Sequence, residues 1–125
     1  MLNYILLVFI GGGFGAVLRY AVTMLCKNVF SLPLLGTLCV NLIGCFLIGL
    51  IFGLLINKAD MLSQTIRLFV IVGFLGGLTT FSTFNIEIFE LIKNGKVLIG
   101  LLYMIGSCSI GLLLTFLGYY LATKH

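Results

Sequence analysis

Four long apolar runs constrain this chain more than any other feature of its sequence. They cover about residues 2–25, 32–56, 67–92 and 97–122, and short polar joints separate them. A hydrocarbon core roughly 30 Å thick takes about 20 apolar residues of helix, so each run is long enough to cross a bilayer once. With 62% hydrophobic and 8% charged residues in 125, the chain carries more apolar surface than a globule of this size buries. We therefore predict an all-α integral membrane protein, a single domain of four transmembrane helices.

The charged residues point to lipid headgroups as partners and leave the orientation open. The seven Lys and Arg residues stand singly and form no basic cluster, so we expect no nucleic-acid partner. Arg19 lies near the end of span one and is expected to snorkel to the interface. Because four spans return the chain to its starting side, the other six divide equally between the two faces: Lys58, Arg67 and Lys124 on one, Lys27, Lys93 and Lys96 on the other. This balance fits either a weakly determined single topology or dual topology, in which oppositely inserted copies pair as an antiparallel homodimer.

Small residues recur four positions apart along the spans, at the spacing that lets helices approach closely in lipid. The pairs are Gly11 with Gly15, Gly12 with Ala16, Gly49 with Gly53, and Gly73 with Gly77. We predict that these pairs mark helix–helix contacts.

Side chains suited to catalysis or to binding metal ions are scarce. The only histidine is His125, there are three carboxylates, and the four cysteines show no metal-binding or CxxC spacing. No Ser or Cys inside a span has a base within reach in the sequence. We predict no enzyme, and we interpret the cysteines as small buried apolar residues.

Span three contains a cluster of poor helix formers at the middle of a membrane segment. Gly76 and Gly77 are followed by four hydroxyl residues, Thr79, Thr80, Ser82 and Thr83. Such residues weaken a helix, and their hydroxyls compete for the local backbone. We predict a helix break near residues 76–80. Non-helical backbone at membrane depth is tolerated where it is buried in protein or lines a polar cavity or ion site, so the break indicates a binding site. The alternative is a bend induced by Ser and Thr, without a ligand.

Other polar and aromatic residues in the spans have both an ordinary and a functional interpretation. Asn41 lies near the middle of span two, where an amide side chain ordinarily forms a hydrogen bond between helices. Tyr103 and Ser107 share one face of span four as packing partners or as one wall of a wet path. Phe81 and Phe84 share a helix face, and their positive ring edges suit an anion as well as packing. Glu87, one turn further, is either an interfacial carboxylate or a gate or acceptor along the path.

Three segments together resemble the Fluc/CrcB family of fluoride channels. They are residues 12–20 (GGFGAVLRY), 36–44 (GTLCVNLIG) and 73–84 (GFLGGLTTFSTF), and they occur in the family's order along the whole chain. The third segment is the most specific of the three. The resemblance implies a dual-topology antiparallel homodimer with two pores, in the plasma or inner membrane of a bacterium. It also implies passive export of fluoride down its electrochemical gradient.

The resemblance further assigns roles to residues of this chain. It implies a structural sodium ion at the dimer interface, bound by main-chain carbonyls that we place on Gly76 and Thr79. Gly111 falls where some members carry a hydroxyl, which shortens the expected polar track at that end. The fluoride path implied by the resemblance comprises Asn41, Phe81, Phe84, Ser82, Thr83, Tyr103, Ser107, Glu87 and Arg19.

Two other functions are weighed against the channel. A small multidrug transporter also has four spans and dual topology, but it needs a carboxylate embedded in its first span, and residues 2–25 contain none. A purely structural subunit, whose broken helix only fits a partner's helices, is the third possibility.

Overall fold

The computed structural model of the chain describes residues 1–56 and 64–124, and all regular secondary structure in this part is helical, without strands. Most of the predicted polar joint between spans two and three, with Lys58, lies outside the described residues. Four segments are long and apolar enough to cross a membrane, which confirms the predicted all-α architecture with four apolar helices. Its elements are α1 (Leu2–Phe30), α2 (Pro33–Ile56), α3 (Gln64–Ile66), a π-helix (Arg67–Leu75), α4 (Gly76–Leu78), α5 (Phe81–Lys93) and α6 (Val97–Thr123).

Span one is longer than its sequence indicates. We expected it to end near residue 25, before Lys27, but α1 continues to Phe30. A lysine in the last turn of a helix interacts favourably with the carbonyl end of the helix dipole, so Lys27 does not stop the helix. The helix ends at Ser31, which adopts a left-handed conformation (φ 57°) and donates its N–H to the Lys27 carbonyl. Pro33 then begins α2, where a missing N–H costs nothing.

Span three is assembled from several helical pieces. The π-helix, in which hydrogen bonds run from residue i to i+5, carries the chain from Arg67 to Leu75, and α4 adds one further turn. The backbone is then extended at Thr79 (φ −82°, ψ 155°) and at Thr80 (φ −148°, ψ 119°), before α5 begins at Phe81. The interruption therefore occupies two residues inside the interval predicted from the sequence.

Two glycine seams hold the spans together, and they confirm the helix contacts predicted for the all-glycine pairs. In the first, α1 lies directly against the first half of span three: a Cβ on Gly15 would lie 2.7 Å from the Leu78 amide nitrogen. In the second, α2 lies against α6: a Cβ on Gly49 would meet the Thr115 carbonyl oxygen. Since only glycine permits such approaches, these seams fix which spans are neighbours.

The outer surface is apolar on all sides. Large side chains such as Phe9 and Phe116 are 75% and 63% exposed, as expected where lipid replaces water. The four cysteines are free thiols. Cys26 is buried, but Cys39 and Cys108 are exposed, so the prediction that the cysteines are buried is wrong for these two. They lie on outward faces of α2 and α6, where an apolar thiol is compatible with lipid.

Candidate functional site at the break in span three

An amide from span two replaces one of the helical hydrogen bonds that span three lacks at its break. Asn41 Nδ2 donates to the Thr80 carbonyl oxygen at 3.1 Å, and the Thr80 N–H donates to Asn41 Oδ1 at 2.8 Å. In a continuous helix the Thr80 N–H would bond the Gly76 carbonyl instead. Asn41 therefore has the interhelical bonding role that is ordinary for an amide in a span. One of its amide protons remains for another acceptor, and its place on an anion path stays a prediction.

Thr80 also caps the second half of the span. Its side-chain oxygen accepts the Thr83 N–H at 3.3 Å and donates to Thr83 Oγ1 at 3.0 Å, and it lies 3.5 Å from Ser82 Oγ. The residue is only 7% exposed. Sequence reasoning did not assign Thr80 to the site. The available signal was its position as a threonine immediately before Phe81, where a hydroxyl is a preferred N-cap.

The two phenylalanines of the break lie side by side in different surroundings. Their ring centroids are 6.3 Å apart at an interplanar angle of 40°. Phe81 is 78% exposed, whereas Phe84 is 6% exposed. Phe84 also meets the Tyr103 ring edge-on, at 5.1 Å and 65°. The chain thus buries one ring in its own core and presents the other outward.

Glu87 connects three helices instead of standing free at the interface. Thr37 Oγ1 of α2 donates to Glu87 Oε1 at 2.7 Å, and the Tyr103 hydroxyl of α6 donates to Oε2 at 2.9 Å. Thr37 is 1% exposed. Sequence reasoning missed Thr37, although its position four residues before Asn41 puts both polar groups on one face of α2.

Ser107 is the one buried side-chain oxygen in the described part of the chain without a hydrogen-bond partner. Tyr103 and Ser107 lie four positions apart on α6, but their hydroxyls have different surroundings. The Tyr103 hydroxyl is bound to Glu87, whereas Ser107 lines a surface groove. A buried hydroxyl without a partner is costly, so it is a candidate to bind an ion or water.

Arg19 of span one contacts the break in span three. It lies well inside α1, and its Nη1 donates to the Thr79 carbonyl oxygen at 3.4 Å. The Thr79 hydroxyl donates to the Leu75 carbonyl at 2.9 Å, and the Thr79 methyl group packs against Gly44. That this side chain also reaches the membrane surface stays a prediction.

A surface groove of about 610 Å³ runs along the break. It brings together six of the residues expected from the sequence: Asn41, Gly76, Thr79, Phe81, Phe84 and Ser107. The other five (Arg19, Ser82, Thr83, Glu87 and Tyr103) are not part of its lining and reach it only through the hydrogen bonds and ring contacts given above. Thr80, Cys108 and Gly111 also contribute to the wall. A mostly apolar groove with a few converging polar groups suits a small ligand or a packed partner.

Four apolar spans in the described part of the chain, one of them broken where polar side chains gather, define a multi-pass membrane protein. The chain belongs to the CrcB family. The family described as CrcB-like protein, Camphor Resistance (CrcB), matches residues 6–119.

Relatives of similar length carry one shared name, fluoride-specific ion channel FluC. The protein from Azobacteroides pseudotrichonymphae is 43% identical over 122 residues, which is 97% of each chain. The protein from Pyrococcus furiosus is 43% identical over 123 residues, or 98% of each chain. The protein from Serratia proteamaculans is 41% identical over 121 residues, covering 97% of this chain and 94% of that one.

Proposed function

We propose that this chain forms a fluoride channel in the plasma membrane of a bacterium. It lets fluoride leave the cell passively, down its electrochemical gradient, and so limits fluoride toxicity in the cytoplasm. Relatives named for this activity match it at 41–43% identity over nearly the whole chain. The observation that carries the proposal is the clamp between Asn41 and Thr80, because it fixes an opened backbone beside a groove lined with possible donors.

Fluoride is small and strongly hydrated, so a pore must replace its water with other donors. Candidates are the Ser107 hydroxyl, which has no partner of its own, and the remaining amide proton of Asn41. The positive ring edges of Phe81 and Phe84 attract an anion without holding it as tightly as a formal charge does. A path built from such groups binds fluoride weakly enough to release it.

The remaining polar residues flank this path. The hydroxyls of Ser82 and Thr83 lie beside the Thr80 cap. Tyr103 and Glu87 are bonded to each other behind Phe84, where they hold its surroundings in place. Arg19 adds a positive charge near the break, which favours the approach of an anion.

We further propose that two copies pair antiparallel, each covering the groove of the other. The 78% exposure of Phe81 and the open space around Gly76, where a Cβ would meet nothing closer than 3.9 Å, support a partner at this face. The equal division of Lys and Arg between the two predicted faces supports insertion in both directions.

A structural sodium ion completes the proposed dimer. The residues present fit such an ion: the carboxyl end of α4 offers main-chain carbonyls, and the Thr80 N–H, which would occupy the Gly76 carbonyl in a continuous helix, is bound to Asn41 instead. Carbonyl oxygens at the end of a half-helix suit Na⁺. Gly76 and Thr79 would hold the ion, and its charge would offset repulsion among these carbonyls in a low dielectric.

Fluoride efflux from liposomes containing the purified protein tests the channel. We expect fluoride efflux with chloride excluded, and we expect Phe81→Ile and Asn41→Asp to abolish it or to reduce it sharply. Phe116→Ile is the matched control, because Phe116 is an exposed ring on α6 outside the groove lining. Gel filtration establishes that each variant is folded before flux is compared.

Each alternative has its own outcome in these experiments. Normal flux in both site variants would overturn the assignment of Phe81 and Asn41. A folded wild-type protein without fluoride flux would favour the structural subunit, and proton-coupled uptake of a quaternary amine would favour the multidrug transporter. Single-cysteine variants at Lys27 and Lys93 test dual topology, because labelling from only one membrane face contradicts it.

A further inference from the structure

Arg19 carries its charge inside span one, well before α1 ends at Phe30. A charged side chain at such a position requires a partner within the protein or a wet cavity. The polar partner that the described chain gives to this guanidinium is the Thr79 carbonyl oxygen, at 3.4 Å. Arg19 therefore brings a cation to the break itself.

The glycine seam explains how the guanidinium reaches this oxygen. Gly15 lies one helical turn before Arg19 on the same face of α1, and it contacts the backbone of Phe74 and Leu78. This close approach leaves the Arg19 side chain beside the last carbonyls of α4. The carboxyl end of a helix carries partial negative charge and stabilises cations there.

We infer, on the basis of the proposed function, that Arg19 is a tethered cation that competes with sodium for the carbonyls of the break. Sodium and the guanidinium would share the Thr79 oxygen. A sodium–oxygen distance of about 2.4 Å, taken from the similarly sized Ca²⁺, added to the 3.4 Å contact places the two charges within roughly 6 Å of each other. Like charges this close repel strongly where water is scarce.

The competition has two consequences that oppose each other. With Arg19 present, the carbonyls are partly compensated without sodium, so the fold depends less on the ion. The same charge lowers the affinity of the break for sodium, by on the order of tenfold or more for unit charges at this separation. Loss of the charge should therefore leave a protein that is less stable without sodium and that binds sodium more tightly.

Thermal unfolding of the purified full-length protein in detergent tests this inference. Sodium chloride is titrated against N-methylglucamine chloride at constant ionic strength, and the unfolding temperature is followed for wild type and Arg19→Gln. Lys27→Gln is the matched control, because it removes one exposed positive charge from the same helix. We expect half-saturation at roughly tenfold lower sodium in R19Q, a lower unfolding temperature without sodium, and a wild-type titration in K27Q.

The outcomes separate this inference from the proposed function. An unchanged sodium midpoint in R19Q overturns the competition while leaving the sodium site and the channel in place. If neither wild type nor the variants respond to sodium, the sodium site fails and the inference fails with it, whereas fluoride efflux is measured independently.

If R19Q does not fold, Arg19→Lys replaces it: the shorter side chain withdraws the charge from Thr79, so its sodium midpoint should lie below that of wild type. A midpoint equal to or above wild type overturns the inference.

Discussion

The break in span three and the seam between α2 and α6 handle the backbone polarity of a membrane helix in different ways. In the seam both helices are continuous and satisfy their own backbone bonds, so the Thr115 hydroxyl only adds a bond shared between the Cys45 carbonyl at 3.0 Å and the Gly111 carbonyl of its own helix at 3.1 Å. At the break the Thr80 N–H leaves the helix and donates to Asn41 Oδ1, while the Thr80 carbonyl, at the start of α5, accepts an added bond from Asn41 Nδ2. Polar side chains therefore add little where a helix is continuous and become essential where it is interrupted.

Replacing Asn41 with leucine should have the largest effect on stability and tests the difference between the two regions most directly. The Asn41→Leu change leaves the Thr80 N–H without a partner, at about 1–3 kcal/mol for a buried unsatisfied group, and removes the second bond to the Thr80 carbonyl, at about 0.5–1.5 kcal/mol, so the expected loss is about 1.5–4.5 kcal/mol of unfolding free energy. Reversible unfolding in mixed detergent micelles measures it. Asn85→Leu is the control, because Asn85 is exposed and bonds only the Phe81 carbonyl of its own helix. Equal stability of N41L and N85L would show that the clamp does not hold the break.

A methyl group inside the seam should have the next largest effect. A Cβ on Gly49 meets the Thr115 carbonyl oxygen, so Gly49→Ala forces α2 and α6 apart at an expected cost of about 1–3 kcal/mol. In Gly13→Ala the added Cβ has nothing within 4 Å, so this variant should be neutral or slightly stabilising. The same unfolding measurement compares the pair, and a G49A protein as stable as G13A would contradict the close approach of these helices.

Two threonine substitutions, one at the break and one in the seam, should have the smallest effects on unfolding free energy. Thr80→Val removes the cap of α5 and should cost about 1 kcal/mol, whereas Thr115→Val removes one added interhelical bond and should cost about 0.6 kcal/mol. We also expect T80V to reduce fluoride efflux more than T115V, because the cap orients Phe81 and Phe84, whereas Thr115 only adds to the groove wall. A larger flux defect in T115V would place the conduction path along the seam instead.

Local composition was sufficient to predict the spans and the break. Apolar runs of this length have no alternative to lipid, and the hydroxyl residues that follow Gly76 and Gly77 weaken a helix at that depth. The helix–helix contacts of the glycine pairs were also predictable, since small residues four apart lie on one helix face. The motif around Phe81 then pointed to the family before any geometry was known.

Contacts between distant segments could not be predicted in this way. Thr37 and Glu87 are fifty positions apart and form one hydrogen bond, and nothing in either neighbourhood indicates the other. The different surroundings of Phe81 and Phe84 also depend on where α6 lies. Arg19 and Thr79, sixty positions apart, likewise form a hydrogen bond that neither segment indicates alone.

The sequence by itself determined that this protein lies in a membrane, that it crosses four times and that its third crossing is interrupted. These properties depend on transfer free energies and on local backbone preferences, which each segment carries alone. Only the tertiary structure decided which side chains satisfy the interruption. That choice depends on the glycine contacts that bring α1 and α2 to the break, and it assigns Asn41 to the backbone of Thr80 and Arg19 to the carbonyl of Thr79.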